Sequence, residues 1–252
     1  MSARVALVRA GNPGPFTLSG TNTWVVGADP CWVVDPGPDL PEHRECVLAE
    51  AARRGAIGGI VLTHDHGDHA DGLPALAAAA GDPVVAAARH SAGVRLADGD
   101  RIGPFTAIAT PGHAPDHFAF VVDRVCFTGD AVLGSGSVFV APDPGALSGY
   151  LAALRRLRAL NLERLLPGHG EPVDDPAAKL DEYLDHRADR ERRLLAALDA
   201  GARTVDELLD AAWADAPTPL RGAATVTLAA HLDKLQEEGR LPRDVERPRW
   251  GP

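Results

Sequence analysis

Thr63-His64-Asp65-His66-Gly67-Asp68-His69-Ala70-Asp71-Gly72 is the stretch on which the reading of this chain turns. It follows the apolar run Ile60-Val61-Leu62 directly and crowds His64, Asp65, His66, Asp68 and His69 into six positions. A strand ending in a sharp turn can fan such side chains into one cavity. His64 and His66, two apart on extended backbone, can point to the same side. Asp68 and His69 then fall past the turn and face a second position. Imidazole and carboxylate are ligands suited to zinc, with room left for water. The plain alternative is a solvated polar turn, and the rest of the chain weighs against it.

Six residues cannot fill two metal shells, and three further segments repeat the pattern. Thr110-Pro111-Gly112-His113 follows an expected strand at Thr106–Ala109. Thr128-Gly129-Asp130 follows Val125–Phe127, and Pro167-Gly168-His169-Gly170 follows Leu165-Leu166. Each sets a ligand-type residue on a glycine-containing turn just after an apolar strand. His113, Asp130 or His169 alone would read as an ordinary turn or capping residue. In this order, all four loops can gather on one rim of a sheet.

The run T-H-D-H-G-D-H-A-D-G resembles the H-x-H-x-D-H signature of the metallo-β-lactamase superfamily. Pro111-Gly112-His113, Gly129-Asp130 and Gly168-His169-Gly170 resemble its later motifs, in order and spacing. The resemblance covers about residues 16–175. It implies an α/β fold, the αββα metallo-β-lactamase sandwich, holding two zinc ions per chain. His64, His66 and His113 would hold one ion, Asp68, His69 and His169 the other, and Asp130 would bridge them. Ions roughly 3.5–4 Å apart would share a bridging hydroxide as nucleophile at near-neutral pH, while one polarises the scissile carbonyl. Asp68 or Asp130 would take or return a proton. Asp65 is expected outside the cage, turned outward to brace a neighbouring loop. His117 is expected behind the ligands, as a brace rather than a substrate contact.

Gly20–Gly27, Val33–Gly37 and Gly129–Ser137 are similar to the branch of that superfamily containing beta-lactamase-like protein 2. Animal members of the branch are endoribonucleases acting on single-stranded RNA. Gly134–Val138 is expected to be a flexible loop, since no Gly-Lys-Ser/Thr follows to make a phosphate cradle.

The chain's 252 residues, 45% apolar and 24% charged, describe a globular protein with a full core. Strands and helices alternate to about Glu171, which predicts sheets covered by helices. Helices are expected at Leu40–Arg54, Gly72–Ala80 and Pro144–Leu160. Strand signals then vanish. Ala177–Ala200 reads as a long charged helix, Thr204 with Glu207 as a capping box opening Val205–Ala214, and Ala223–Glu238 as a third helix. These three helices and a proline-rich tail resemble a winged-helix unit, so the expected division is a catalytic domain at 1–175 and a helical, winged-helix-like domain at 176–252.

A net charge of −10 gives no general attraction to nucleic acid. The bases Arg89, Arg95 and Arg101 are scattered, and from Ala202 onward acids outnumber bases. The tail therefore reads as a lid or a homodimer element rather than a DNA reader. Cys31, Cys46 and Cys126 lack C-x-x-C spacing and read as reduced thiols. No secretory leader and no apolar stretch of roughly 20 residues are visible, so a cytoplasmic enzyme without a membrane partner is expected. The expected function is hydrolysis of an ester, thioester or lactone-type carbonyl in a small acyl substrate. The alternatives are an endoribonuclease cleaving single-stranded RNA and, from another class, a metal-dependent nucleic-acid-binding regulator.

Overall fold

The computed structural model describes residues 4–88 and 93–248; Arg89 and Arg249 lie outside the described residues. In chain order the elements are β1 (Val5–Arg9), β2 (Asn22–Gly27), β3 (Cys31–Val34), α1 (Pro41–Ala52), β4 (Ile57–Val61), α2 (Gly67–Ala70), α3 (Leu73–Ala79) and β5 (Val84–Ala87). Then come β6 (Val94–Arg95), β7 (Arg101–Ile102), β8 (Phe105–Ala109), β9 (Phe118–Val122), β10 (Val125–Gly129), α4 (Ala146–Arg158) and β11 (Arg164–Pro167). The chain continues through α5 (Pro176–Asp199), α6 (Val205–Ala212) and α7 (Arg221–Glu237). The two-residue strands β6 and β7 and the single turn of α2 lack a period long enough to be read from sequence.

Two sheets result, β1-β2-β3-β4-β5-β6 and β11-β10-β9-β8-β7. Alternation along the strands decides which layer each side chain joins. On β2, Trp24 and Val26 turn into the layer between the sheets, with Val61, Phe105, Phe120 and Phe127. Val25 turns the other way, joining Val33, Ile60, Val47 of α1 and Leu73 and Leu76 of α3. On the second sheet, Ala119, Cys126 and Leu165 pack outward against Leu147, Leu154 and Leu157 of α4. Helix, sheet, sheet and helix make the αββα sandwich that the motifs implied.

Strand direction then builds the rim. β3 and β4 pair in parallel, so the turns after Val34 and Val61 leave from one edge. β8 and β10 both run antiparallel to β9, and β11 runs parallel to β10. The turns carrying His113, Asp130 and His169 therefore also share an edge. Backbone bonds join the two rims: Phe118 N–H donates to Thr63 O at 2.7 Å, and Asn22 N–H to Gly168 O at 2.7 Å.

The helices after residue 175 pack around Leu194, Leu198, Leu208, Trp213, Leu228 and Leu232. The Thr204–Glu207 capping box forms as expected. α5 serves both regions, with Leu180 and Tyr183 in the α4 layer and Leu194 and Leu198 in the C-terminal cluster. Among the described residues no helix is long and apolar enough to cross a membrane.

Candidate metal centre

The site begins with the turn after β4. His64 and His69 are buried, whereas His66 is exposed at the cleft. His64, His66 and His113 form one convergent group, and Asp68, His69 and His169 a second. His66 Nδ1 lies 3.0 Å from His64 Nε2 and 3.1 Å from His113 Nε2. In the second group His69 Nε2 is 3.2 Å from His169 Nε2, and Asp68 Oδ2 is 3.2 Å from His169 Nε2. Asp130 stands between them. One of its oxygens is 3.5 Å from His69 Nε2, and the other is 3.6 Å from His113 Nε2 and 3.4 Å from His169 Nε2.

Hydrogen bonds to the far side of each ring set its tautomer. His113 Nδ1–H donates to the Phe139 carbonyl at 3.2 Å, and His169 Nδ1–H to that of Gly20 at 3.4 Å. His69 Nδ1–H donates to Asp35 at 2.9 Å. Thr63 spends its hydroxyl proton on Asp35 Oδ2 at 2.7 Å, so its oxygen accepts from His64 Nδ1 at 3.0 Å. In all four rings the Nε2 lone pair is thereby turned into the site. Gly168 leaves the necessary space, since a Cβ there would stand 2.5 Å from Asp130 Oδ1 and 2.6 Å from the His69 ring.

Electrostatics separate the two groups. Burial pushes the His113 imidazole down to about 4 and holds His64 well below the ordinary histidine range. Burial opposes a proton on His69 too, but Asp130 and Asp35 raise it well above its usual value. Against the same opposition, Asp130 and Asp68 push His169 up to about 9. Asp130 stays ionised, its burial outweighed by His69 and His169. Asp130 Oδ1 remains buried without a hydrogen-bond partner. Facing imidazole lone pairs and an orphaned carboxylate oxygen fit a pair of divalent ions, and all the donors are nitrogen or oxygen.

Each of the seven residues expected in the cage lies in one of these groups or between them. Asp65 is exposed and outside them. His117 is buried and is not among the residues that line the cleft beside the metal groups. Its Nε2 accepts the Asp130 N–H at 3.1 Å, and its Nδ1 faces Thr110 Oγ1 at 2.7 Å, so it braces Asp130 from behind. Gly134–Val138 has no regular structure and exposes Ser135, Gly136 and Ser137, while Val138 at its end is buried and its carbonyl accepts from Arg187 of α5. Asp35 was missed as a site residue. It accepts from Thr63 N–H and Oγ1, both at 2.7 Å, besides His69. Val33-Val34-Asp35-Pro36-Gly37 has the same apolar-strand-then-turn form as the four ligand loops, and that form was its signal.

A cleft of about 320 Å³ opens beside the groups, lined by His113 and Asp130. Its walls are Phe16, Leu133 and Phe139 on one side and Trp213, Leu220 and Ala224 of the C-terminal helices on the other. A larger groove of about 810 Å³ between α4, α5 and α7 contains none of the metal-group residues.

A two-sheet sandwich with paired histidine–carboxylate groups on one rim defines a metal-dependent hydrolase. The chain belongs to the metallo-beta-lactamase superfamily, whose family model matches residues 16–95 and 90–169, and a beta-lactamase associated winged helix domain matches 204–250. The beta-lactamase-like protein 2 homolog of Caenorhabditis elegans is 34% identical over 95% of this chain and 86% of its own length. Among solved structures, the metallo-beta-lactamase family protein TTHA1429 of Thermus thermophilus matches at TM-score 0.70 and 25% identity, covering 93% of this chain and 94% of that one. TTHA1623, solved in a di-iron-bound form, matches at TM-score 0.54 and 28% identity over 69% of this chain and 95% of its own.

Proposed function

We propose that this enzyme hydrolyses the ester, thioester or lactone-type carbonyl of a small acyl compound and that its two metals are zinc. The observation that carries this reading is the cleft beside His113 and Asp130, whose walls are mainly apolar and aromatic. Such walls suit an acyl chain, whereas an RNA strand calls for exposed basic residues along its track. The two arginines that line it, Arg187 and Arg190, are buried, and the exposed bases Arg95 and Arg101 lie on β6 and β7 and do not line it. In the tail, Arg203, Arg221, Lys234, Arg240 and Arg247 are each paired with an acid, which disfavours a nucleic-acid-binding regulator.

His64, His66 and His113 would hold one ion, Asp68, His69 and His169 the second, with Asp130 between them. When bound, the ions supply the Lewis acidity that activates water and polarises the scissile carbonyl. Asp35, Thr63 and the Phe139 and Gly20 carbonyls keep the imidazoles in the tautomer that ligation requires. Of the two candidate carboxylates, Asp68 has the more exposed side chain, 31% against 11% for Asp130, which favours it as the one that would take a proton from water and return it to the leaving group. Residues 1–175 carry the chemistry, and 176–252 wall the cleft. A cytoplasmic location accords with three free cysteines.

The test is a panel of neutral esters, thioesters and lactones run beside labelled single-stranded RNA, with zinc-loaded enzyme and Asp130→Ala as control. Acyl turnover that disappears in the variant is expected. Cleavage of RNA without turnover of any acyl compound would overturn the reading.

A further inference from the structure

Arg187 is out of keeping with the cleft wall. It rises from α5, is 2% exposed, and stands between the cleft, which it lines beside Leu133, Ser137 and Val138, and the larger groove between α4, α5 and α7. Its Nη2 donates to Ser137 Oγ at 3.0 Å and to the Val138 carbonyl, and the Tyr150 ring centre lies 5.5 Å from its guanidinium carbon. Its Nε is buried with no hydrogen-bond partner. Among the described residues no carboxylate pairs with it. Arg190, one turn further along α5, shows the contrast: both of its terminal nitrogens bond to Asp215. An arginine keeps its charge wherever it sits, and a buried charge without a counter-charge is costly.

We propose that Arg187 is the receptor for a carboxylate carried by the substrate, which makes the substrates acyl esters or thioesters with a second, free carboxylate at the far end of a short aliphatic spacer. This rests on the acyl-hydrolase reading and names its substrate class. The metal group and Arg187 are tied to adjacent backbone carbonyls, which keeps the spacer between the two ends short. The Phe139 carbonyl holds His113 of the metal group, and the Val138 carbonyl next to it holds Arg187. One unpaired positive charge matches one carboxylate, whereas a phosphate monoester brings roughly −1.5 to −2. Water is the only co-reactant: the acyl C–S or C–O bond breaks, a C–O bond forms to the water oxygen, and the water's proton leaves on the thiol or alcohol.

The experiment compares N-acetylcysteamine thioesters of glutarate, with its free carboxylate, and of valerate, a neutral counterpart, on zinc-loaded enzyme. Wild type should favour the glutaryl probe in kcat/KM by about tenfold or more, mainly through KM, the scale of one charge-assisted hydrogen bond. Arg187→Gln should bring the ratio of the two probes near one, and Arg187→Lys, which keeps the charge, should retain part of the preference. Binding of glutaramate against neutral glutaramide, by calorimetry on the same three proteins, gives the same discrimination without turnover. Valeryl turnover with no glutaryl preference, or a preference that survives in Arg187→Gln, overturns the carboxylate receptor and leaves acyl hydrolysis standing. Absence of turnover of both probes counts against the acyl reading, and the calorimetry then decides the receptor alone.

Discussion

Asp35→Asn tests the way this rim builds its metal groups. Asp35 is 1% exposed, and its Oδ1 accepts the Thr63 backbone N–H at 2.7 Å. That donor cannot be reversed, so in the variant the amide oxygen must occupy the Oδ1 position and the NH2 the Oδ2 position. The NH2 then faces His69 Nδ1, which Asp35 now contacts at 2.9 Å. Two donors cannot share that contact, so His69 must move its proton to Nε2, the atom turned toward Asp68 and His169. Thr63 Oγ1 has two lone pairs and can accept from both the new amide and His64, so His64 keeps its tautomer. Loss of such an orienting carboxylate costs about 10–100-fold in metal affinity, or roughly 1.4–2.7 kcal/mol. The loss should fall on the ion at Asp68, His69 and His169 and spare the one at His64, His66 and His113. Elemental analysis after dialysis in graded zinc buffers resolves the two affinities. Two ions bound as in wild type, or equal weakening of both, would refute the reasoning.

Asp130→Ala removes the carboxylate facing both groups, so metal analysis should show one ion lost and hydrolysis should be abolished. His169→Ala should keep one tight ion and residual turnover, and Asp65→Ala should keep both; metal loss in Asp65→Ala as severe as in Asp130→Ala would redraw the cage. Chelation should lower Tm in a thermal melt and added zinc should restore it, because ions held by the folded groups and not by the unfolded chain stabilise the fold by mass action; an unchanged Tm would count against structural coupling of the site. Burial, then the charges of Arg187 and Arg190, push His186 down to about 4. Burial and then Arg187 and Lys234 hold His231, 1% exposed with neither ring nitrogen hydrogen-bonded, well below the ordinary range. Unfolded, both titrate near 6.5, so the unfolded chain binds more protons below that pH. Their contribution to stability is full above pH 6.5 and lost as pH falls toward 4, and His231→Phe should shift acid unfolding, followed by circular dichroism, to lower pH.

The sandwich class and the ligand loops are legible in the amino-acid order alone, the first from strands and helices alternating to about Glu171. A period of two divides Trp24-Val25-Val26 and Ile60-Val61-Leu62 between opposite faces, but since all six are apolar only the packing decides which face lies between the sheets. Glycine turns after apolar strands marked the loops of His64–His69, His113, Asp130 and His169, because a ligand must stand where the backbone can bend around an ion. What the sequence could not supply was any relation that depends on chain direction or on contact across distance. That the turns after β3 and β4, and after β8, β10 and β11, leave from common edges follows from strand pairing. Asp35 and His69 stand 34 positions apart, and only the parallel pairing of β3 with β4 brings them to 2.9 Å. Arg187 likewise reads as one more charge on a polar helix, since α5 alternates acids and bases throughout. Its burial against Ser137, Val138 and Tyr150 is decided by how α5 packs on α4 and on the segment after Asp130, a long-range event that no local pattern encodes.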